Sequence, residues 1–304
     1  MNKITVFTPT YNRAYCLHKC YESMKRQSCQ EFDWLIVDDG SSDGTEQLVQ
    51  QWMKEDHGFT IRYVYKENGG MHTAYNTAYS IISTELSMNV DSDDYLTDTA
   101  IEDILNFWNA NRRNDIGGIY ALDQYEDGEI VGCAFPDDLK EFHGWGYKTI
   151  FYESNGKKKR HHNQGDKKFI GVTAVINEYP DIPVFKGESY HSLYYKQHLI
   201  ERDYSILIFN KPVCVVEYME DGSSKNMYFQ YIRNPKGFCD ERLFVMKYAP
   251  TIKLRLESAI HYVAESMLAG NKQYIKDSSN KLATILSIPA GILLYLWIRR
   301  KTKK

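Results

Sequence analysis

The feature that most narrows the possible folds is one pattern repeated four times in the first hundred residues: a short β-rich apolar run that breaks abruptly into a polar loop. Ile4-Thr5-Val6-Phe7-Thr8 leads into Pro9-Thr10-Tyr11-Asn12-Arg13, and Trp34-Leu35-Ile36-Val37 leads into Asp38-Asp39-Gly40-Ser41-Ser42-Asp43-Gly44. Ile61-Arg62-Tyr63-Val64-Tyr65 is followed by Asn68-Gly69-Gly70, and Leu86-Ser87-Met88-Asn89-Val90 by Asp91-Ser92-Asp93-Asp94. Between the runs, apolar residues recur at helical spacing. Leu17, Cys20, Tyr21 and Met24 mark one helix, Leu48, Val49, Trp52 and Met53 the next, and residues 73–83 form a helix rich in small side chains. Strands alternating with helices predict an α/β chain with a parallel sheet, whose ligands bind outside the carboxyl ends of the strands. All four polar loops lie at those ends.

After Asp98, which can cap a helix over 99–111, the pattern is more mixed. Residues 116–125 and 169–177 read as strands, and the basic stretch Lys157-Lys158-Lys159-Arg160-His161-His162 between them reads as a solvated loop. A helix is expected over 188–202, a hairpin or bent strand over 206–218, and successive helices from Leu243 onward. With 304 residues the chain makes one large domain or two intimate ones. The expected division is 1–97 and 98–234 as two parts of one domain and 235–304 for the closing helices.

Charge and cysteine usage narrow the class. Lys and Arg number 37 against 40 Asp and Glu, a net charge of −3, which removes the electrostatic motive for binding nucleic acid. The six cysteines (Cys16, Cys20, Cys29, Cys133, Cys214 and Cys239) contain no Cys-x-x-Cys pair and show no zinc spacing, so they read as reduced, mostly buried thiols. MNKITVFTPT runs straight into a strand without the parts of a secretory signal, so the body is expected in the cytosol. Between Lys281 and Arg299 lie 17 uncharged residues, followed by RRKTKK. That run is short for a span, and Pro289 and Gly291 are expected to interrupt it. A segment over 282–304 associated with the cytoplasmic face of a membrane, its basic tail toward anionic headgroups, is the expectation.

Asp91-Ser92-Asp93-Asp94 gathers carboxylates at a strand end, where their repulsion is offset by a divalent cation; Mg2+ or Mn2+ takes such oxygen ligands and leaves room for phosphate. In the second loop, an Asx-type turn capping the helix from Glu46 uses the same residue types as a site for a base. There a carboxylate can accept the imide N–H of uracil while Tyr11 lies against the ring. Asn68-Gly69-Gly70 permits close backbone approach to a ligand.

Thr8-Pro9-Thr10-Tyr11-Asn12-Arg13, the run from Val37 to Thr45, Asn68-Gly69-Gly70 with Ala74 and Asn76, and Asp91-Ser92-Asp93-Asp94 resemble, in order, the motifs of family 2 glycosyltransferases. A looser likeness runs from Phe185-Lys186-Gly187-Glu188 through Glu217-Tyr218-Met219-Glu220-Asp221-Gly222-Ser223-Ser224 and is similar to bacterial members that build surface polysaccharides. The resemblance implies a GT-A fold: a Rossmann-like, mostly parallel central sheet flanked by helices, here with a helical C-terminal extension. It implies an inverting, metal-dependent hexosyltransferase that moves a sugar from a nucleotide diphosphate donor, UDP-linked, to a glycan or lipid-linked oligosaccharide acceptor.

Carried over residue by residue, Pro9, Tyr11 and Asp39 hold the base, and Arg13, Gly70 and Asn76 lie near the nucleotide. Asp91 and Ser92 approach the ribose or donor sugar. Asp93, with Asp91, ligates Mn2+ or Mg2+. Inversion needs a general base. The family's acidic pair is incomplete, since Leu193 occupies the second position; Glu188 is the candidate base and Asp181 the reserve. The alternative is a catalytically silent subunit that binds a nucleotide sugar and positions a partner. A dinucleotide oxidoreductase is excluded because no Gly-x-Gly-x-x-Gly turn follows the first strand, and a nucleotidyltransferase because no early glycine-rich loop carries a basic residue.

Overall fold

The computed structural model describes residues 2–146, 149–217 and 227–302. Its first part alternates as expected: β1 (Ile4–Thr10), α1 (Leu17–Lys25), β2 (Phe32–Asp38), α2 (Thr45–Trp52), β3 (Thr60–Tyr65), α3 (Met71–Ile81) and β4 (Leu86–Asn89). The short β5 (Tyr95–Leu96), α4 (Ala100–Asn111) and β6 (Ile116–Gln124) follow. Then come β7 (Glu141–His143), β8 (Thr149–Ser154), β9 (Lys157–His162), β10 (Lys167–Val172), α5 (Thr173–Ile176), α6 (Tyr194–Asp203) and β11 (Ser205–Val215). The helices α7 (Met227–Arg233), α8 (Pro235–Tyr248), α9 (Ile252–Leu268), α10 (Tyr274–Asp277) and α11 (Lys281–Lys301) complete the described chain.

By compactness the chain divides into two units, Met1–Asp181 with Lys196–Met219, and Ile182–Tyr195 with Glu220–Lys304. In the first, the path β3-β2-β1-β4-β10-β6-β11-β5 makes one sheet, with β7 joining on β11. One sheet thus runs through residue 97, and the division expected there falls inside a single compact body. β1 pairs in parallel with β2 and β4, and β2 with β3. β10 runs antiparallel between β4 and β6, and β11 lies parallel to β6. The sheet is therefore mostly parallel with helices against it, which is the GT-A arrangement. Ile4, Val6, Trp34, Ile36, Leu86 and Met88 are buried with Leu17, Cys20 and Met24 of α1, and this apolar packing fixes the strand order that aligns the loops. All six cysteines are free thiols.

The later segments differ from the sequence reading in instructive ways. Lys157–His162 is a strand, not a loop. Asn155 and Gly156, with φ of 52° and 68°, make the tight turn that pairs β9 with β8. The strand expected over 169–177 stops at Val172, and Thr173–Ile176 turns helical, with Thr173 N–H donating to the Glu85 carbonyl at 3.0 Å. α6 begins only at Tyr194, because Gly187 takes a φ of +83° and Ser189 N–H donates to Asn234 Oδ1 at 2.7 Å. α11 is continuous through Pro289, so the interruption expected there does not occur. The motif residues 218–224 lie outside the described residues, as do Lys303 and Lys304.

Candidate active site

Two loops at the carboxyl end of the sheet are stitched together by their own side chains. Register pairs Thr10 with Asp38, and Asp39 N–H donates to the Thr10 carbonyl at 2.8 Å. Asn12 sits in the left-handed region at φ 52°; its Oδ1 accepts Ser42 N–H at 2.8 Å, and its own N–H donates to Ser41 Oγ at 2.8 Å. The pairing leaves Tyr11 exposed beside the loop and Arg13 partly exposed, its guanidinium donating to the Tyr15 hydroxyl. Pro9 is buried opposite Val37, where it sets the backbone before Tyr11.

The consecutive Asp38 and Asp39 do different things. Asp38 is buried and accepts Ser41 N–H and the Tyr63 hydroxyl, both at 2.7 Å. Burial, then the bond to Asp38, pushes the Tyr63 hydroxyl well above its ordinary range. Asp39, also buried, is the hub of the third loop. Gly69 N–H donates to Oδ1 at 3.0 Å, Gly70 N–H to Oδ2 at 2.8 Å, Asn68 Nδ2 to Oδ2 at 3.3 Å, and the Lys66 ammonium to Oδ1. Gly40 allows this closure: at φ +86° it brings its Cα where an added Cβ would meet Asn68 N at 2.8 Å. The carboxylate expected to hold a base thus organises the Asn68-Gly69-Gly70 turn and the start of α3, on which Asn76 is half-buried.

Asp43 fills the helix-capping role weighed for its loop. It accepts Thr45 N–H at 3.0 Å and Ala14 N–H at 3.1 Å. Burial opposes its charge, but these hydrogen bonds and the Thr45 hydroxyl prevail and hold the carboxyl below the usual range.

Asp91 to Asp94 form a turn just past β4, which is the next strand but one from β2. At the usual strand spacing the two strand ends are about 10 Å apart. Asp91 Oδ1 accepts Asn89 Nδ2 at 3.2 Å, Ser92 is buried, and Asp91 and Asp93 remain partly exposed. Asp94 is buried and accepts Glu217 N–H at 3.2 Å. Burial pushes its carboxyl up to about 8; Lys168 works against the shift, and the charges of Asp91 and Asp93 add to it. Beneath the turn, the Lys168 ammonium lies 3.9 Å from Asp123 Oδ1, both side chains buried. Burial disfavours that ammonium, yet the surrounding carboxylates, Asp123 first, hold its pKa well above the ordinary lysine value.

Among the described residues, no three His, Cys, Asp or Glu side chains make a preformed metal cage. Asp91 and Asp93 instead offer an open set of carboxylate oxygens, which suits a hard divalent cation completed by water and phosphate.

Glu188 belongs to the second unit and lies at the start of α8. Its carboxylate accepts Lys236 N–H at 3.0 Å and Gly237 N–H at 2.9 Å. It therefore caps a helix distant in sequence, not the helix that follows it. Asp181 is exposed and 3.4 Å from Lys196 Nζ. His191 is buried against Asp240 at 3.1 Å, and His198 beside Glu201 at 3.5 Å, stacked on Trp145. Lys66, Asp123 and Lys168 were not singled out by the sequence, and Asn68 and Asp94 only as members of their motifs, without a role of their own. Lys66 stands directly before the Asn-Gly-Gly turn, which is the signal that could have found it; Lys168 sits in a basic run that gives no hint of burial.

A family model described as Glycosyl transferase family 2 matches residues 5–174, more than half of the chain. The chain is 30% identical over 126 residues to the poly(ribitol-phosphate) beta-N-acetylglucosaminyltransferase TarP of Staphylococcus aureus, covering 40% of this chain and 38% of that one. It is 34% identical over 101 residues to glycosyltransferase GlyA of Streptococcus pneumoniae, covering 33% and 14%. It is 37% identical over 102 residues to a teichoic acid poly(glycerol phosphate) polymerase of Staphylococcus epidermidis, again 33% and 14%. The chain thus spans only a minor part of these relatives. In fold it is similar to residues 1–349 of S. aureus TarS in complex with UDP-GlcNAc, with a TM-score of 0.54 at 15% identity over 98% of this chain and 92% of that one. It is likewise similar to the mannosyltransferase PcManGT of Pyrobaculum calidifontis in complex with GDP-Man and Mn2+, with a TM-score of 0.55 at 16% identity, covering 99% and 83%.

Proposed function

The chain belongs to glycosyl transferase family 2, and we propose from its site that it transfers a sugar from a UDP-linked donor, with inversion, to a glycan carried on a lipid in bacterial surface-polymer synthesis. The observation that carries this reading is the placement of two sites at the same end of one sheet. An Asp39-centred loop system borders exposed Tyr11, and an open carboxylate turn lies two strands away. The base stacks on Tyr11, between Pro9 and the Asp39 loop. Because Asp39 already accepts donors from Gly69, Gly70 and Lys66, it acts first by holding that loop in shape. A base N–H approaching Asp39 must compete with or displace Asn68 or Lys66. Arg13, Gly70 and Asn76 border the nucleotide, and the amino end of α3 carries the positive pole of its dipole toward negative charge.

Asp91 and Ser92 face the ribose or donor sugar, and Asp93 with Asp91 would hold Mn2+ or Mg2+. Such an ion neutralises charge on the leaving diphosphate as a Lewis acid. Lys168 sets a fixed positive charge beneath the turn, which limits the repulsion among its carboxylates. The acceptor hydroxyl attacks the anomeric carbon from the face opposite the leaving group, and its proton must go to a base. Glu188 is assigned that role. In the form described here its oxygens accept two backbone N–H groups, so catalysis requires it to exchange one of them for the acceptor. The same hydrogen bonds favour the second reading, a silent nucleotide-sugar-binding subunit in which Glu188 is only a helix cap. The apolar α11 brings the protein to the inner face of the cell membrane, where lipid-linked acceptors reside.

Turnover with a panel of UDP- and GDP-sugars, with and without a membrane acceptor fraction, separates the readings. The transferase reading expects sugar incorporation from a UDP-sugar and an anomeric configuration opposite to the donor's. Tight UDP binding with no product from any donor and acceptor pair would establish the silent subunit instead.

A further inference from the structure

The helix α11 is built inside out for a protein in water. The face that packs on α9 is made of small residues: Ala283, Thr284, Ser287 and Gly291 are buried, with Ile298 near the end. Gly291 approaches so closely that an added Cβ would stand 2.5 Å from Val263 Cβ and 3.0 Å from the Ile260 carbonyl oxygen. The large side chains point the other way. Leu282, Leu286 and Leu293 are 68%, 65% and 68% exposed, with Ile285, Leu296 and Trp297 beside them. A soluble surface helix shows the reverse order.

A second element continues the stripe. Trp297 meets Tyr228 of α7 edge to face, with ring centroids 4.8 Å apart, and α7 also exposes Phe229 and Ile232. The far end of α11 carries exposed Arg299, Arg300 and Lys301, and α7 ends in Arg233. Aromatic rings at the end of an apolar stripe, bordered by cations, match the chemistry of a bilayer interface bearing anionic headgroups.

We propose that α7 and α11 form one monotopic face that lies in the plane of an anionic phospholipid bilayer, with α11 half-sunk and not spanning. The inference rests on the membrane part of the proposed function and specifies how the surface is met. A spanning α11 would have to leave α9. That would break the 2.7 Å bond between the Thr284 hydroxyl and Ser278 Oγ, and would put Gly291 and Ser287 in lipid in place of packed helix. α9 cannot follow it into the bilayer, because Lys253, Arg255, Glu257 and Glu265 lie along its length. In the plane, the packed face stays packed, the exposed leucines reach acyl chains, and the basic end meets headgroup phosphate.

The test is sedimentation of the full chain with vesicles of phosphatidylcholine alone or with a third phosphatidylglycerol, followed by carbonate extraction of the bound fraction. The expected result is binding at least tenfold stronger to the anionic vesicles, with release by carbonate. Leu293→Asp with Leu296→Asp should abolish binding. Arg299→Glu with Arg300→Glu, at two exposed positions where the change gives up the bond from Arg299 to the Tyr295 hydroxyl, should remove the preference for anionic vesicles and guards against misfolding of the first variant. Resistance to carbonate would mean that α11 spans, and equal binding to both vesicles would remove the headgroup role; either overturns the proposal while leaving membrane association intact. No sedimentation, together with a concentration-dependent dimer that Leu293→Asp dissolves, would show that a second copy covers the face and would refute both. Sugar transfer by the unaltered protein is measured separately, so its failure is distinguishable from failure here.

Discussion

Replacing Asp39 with Asn tests whether that carboxylate acts as the keystone of the donor loops. The side chain is buried, and the two backbone N–H groups of Gly69 and Gly70 end on its two different oxygens. An Asn supplies one acceptor oxygen and turns an NH2 toward the other donor, so one buried N–H is left unpaired and the half-buried Lys66 loses its counter-charge. A buried donor without a partner costs about 1–3 kcal/mol. With the lost charge-assisted bond the sum is roughly 2–4 kcal/mol. For a body of this size that lowers the melting temperature by roughly 4–16 °C. Because the loop that shifts is the one proposed to border the nucleotide, UDP affinity should fall by more than tenfold in the same variant. Differential scanning calorimetry and titration calorimetry with UDP read the two effects. A variant that melts like the parent and binds UDP equally would refute the keystone assignment; one that melts normally but loses UDP would show that Asp39 contacts the base and does little for the loop.

Three further outcomes follow from the same geometry. Glu188→Gln keeps one acceptor for the α8 amides, so stability should change by about 1 kcal/mol or less, while turnover should fall by about 10²–10⁴-fold if Glu188 takes the acceptor proton; unchanged turnover leaves it a cap only. Asp94 binds its proton more tightly folded than unfolded, so its stabilising contribution is complete below the ordinary carboxylate range and is lost as pH rises through about 8. The metal-free protein should therefore melt lower at pH 8.5 than at pH 5.5 by an amount that Asp94→Asn removes, and an identical pH slope in that variant would count against it. Gly40→Ala forces a side chain into a left-handed backbone against Asn68 N, which should cost about 1–3 kcal/mol in thermal unfolding; no loss would mean that the two loops are not in contact in solution.

The half of the fold that was legible in the sequence is the half with strands buried on both faces. β1, β2 and β4 are buried along nearly their whole length, and each leads into a polar loop. The later elements follow weaker signals. Thr173-Ala174-Val175-Ile176 has the composition of a strand, yet its backbone is turned helical beside the end of β4. Lys157–His162 shows no apolar period because its half-buried positions are held by Lys159 and His161, and only the Asn155-Gly156 turn announced it. Gly187 and the tie between Ser189 and Asn234 delay α6, a contact 45 residues apart that no local pattern contains. Pro289 sits on the exposed side of α11, within a helix that continues on either side of it. At the site, the sequence picks out the acidic and glycine positions but not their internal partners. Which donor satisfies Asp39, and which cation lies beneath Asp94, depends on strand order and is written in no motif.

The proposed sugar transfer rests on the Asp91 to Asp94 turn serving a cation-bound diphosphate. UDP release from a UDP-sugar, measured against Mn2+ concentration for the parent and for Asp93→Asn, addresses that claim most directly. The parent should show saturable, Mn2+-dependent release that EDTA abolishes, and Asp93→Asn should lose at least a hundredfold in turnover while melting normally. Equal, metal-insensitive release from both proteins would contradict it.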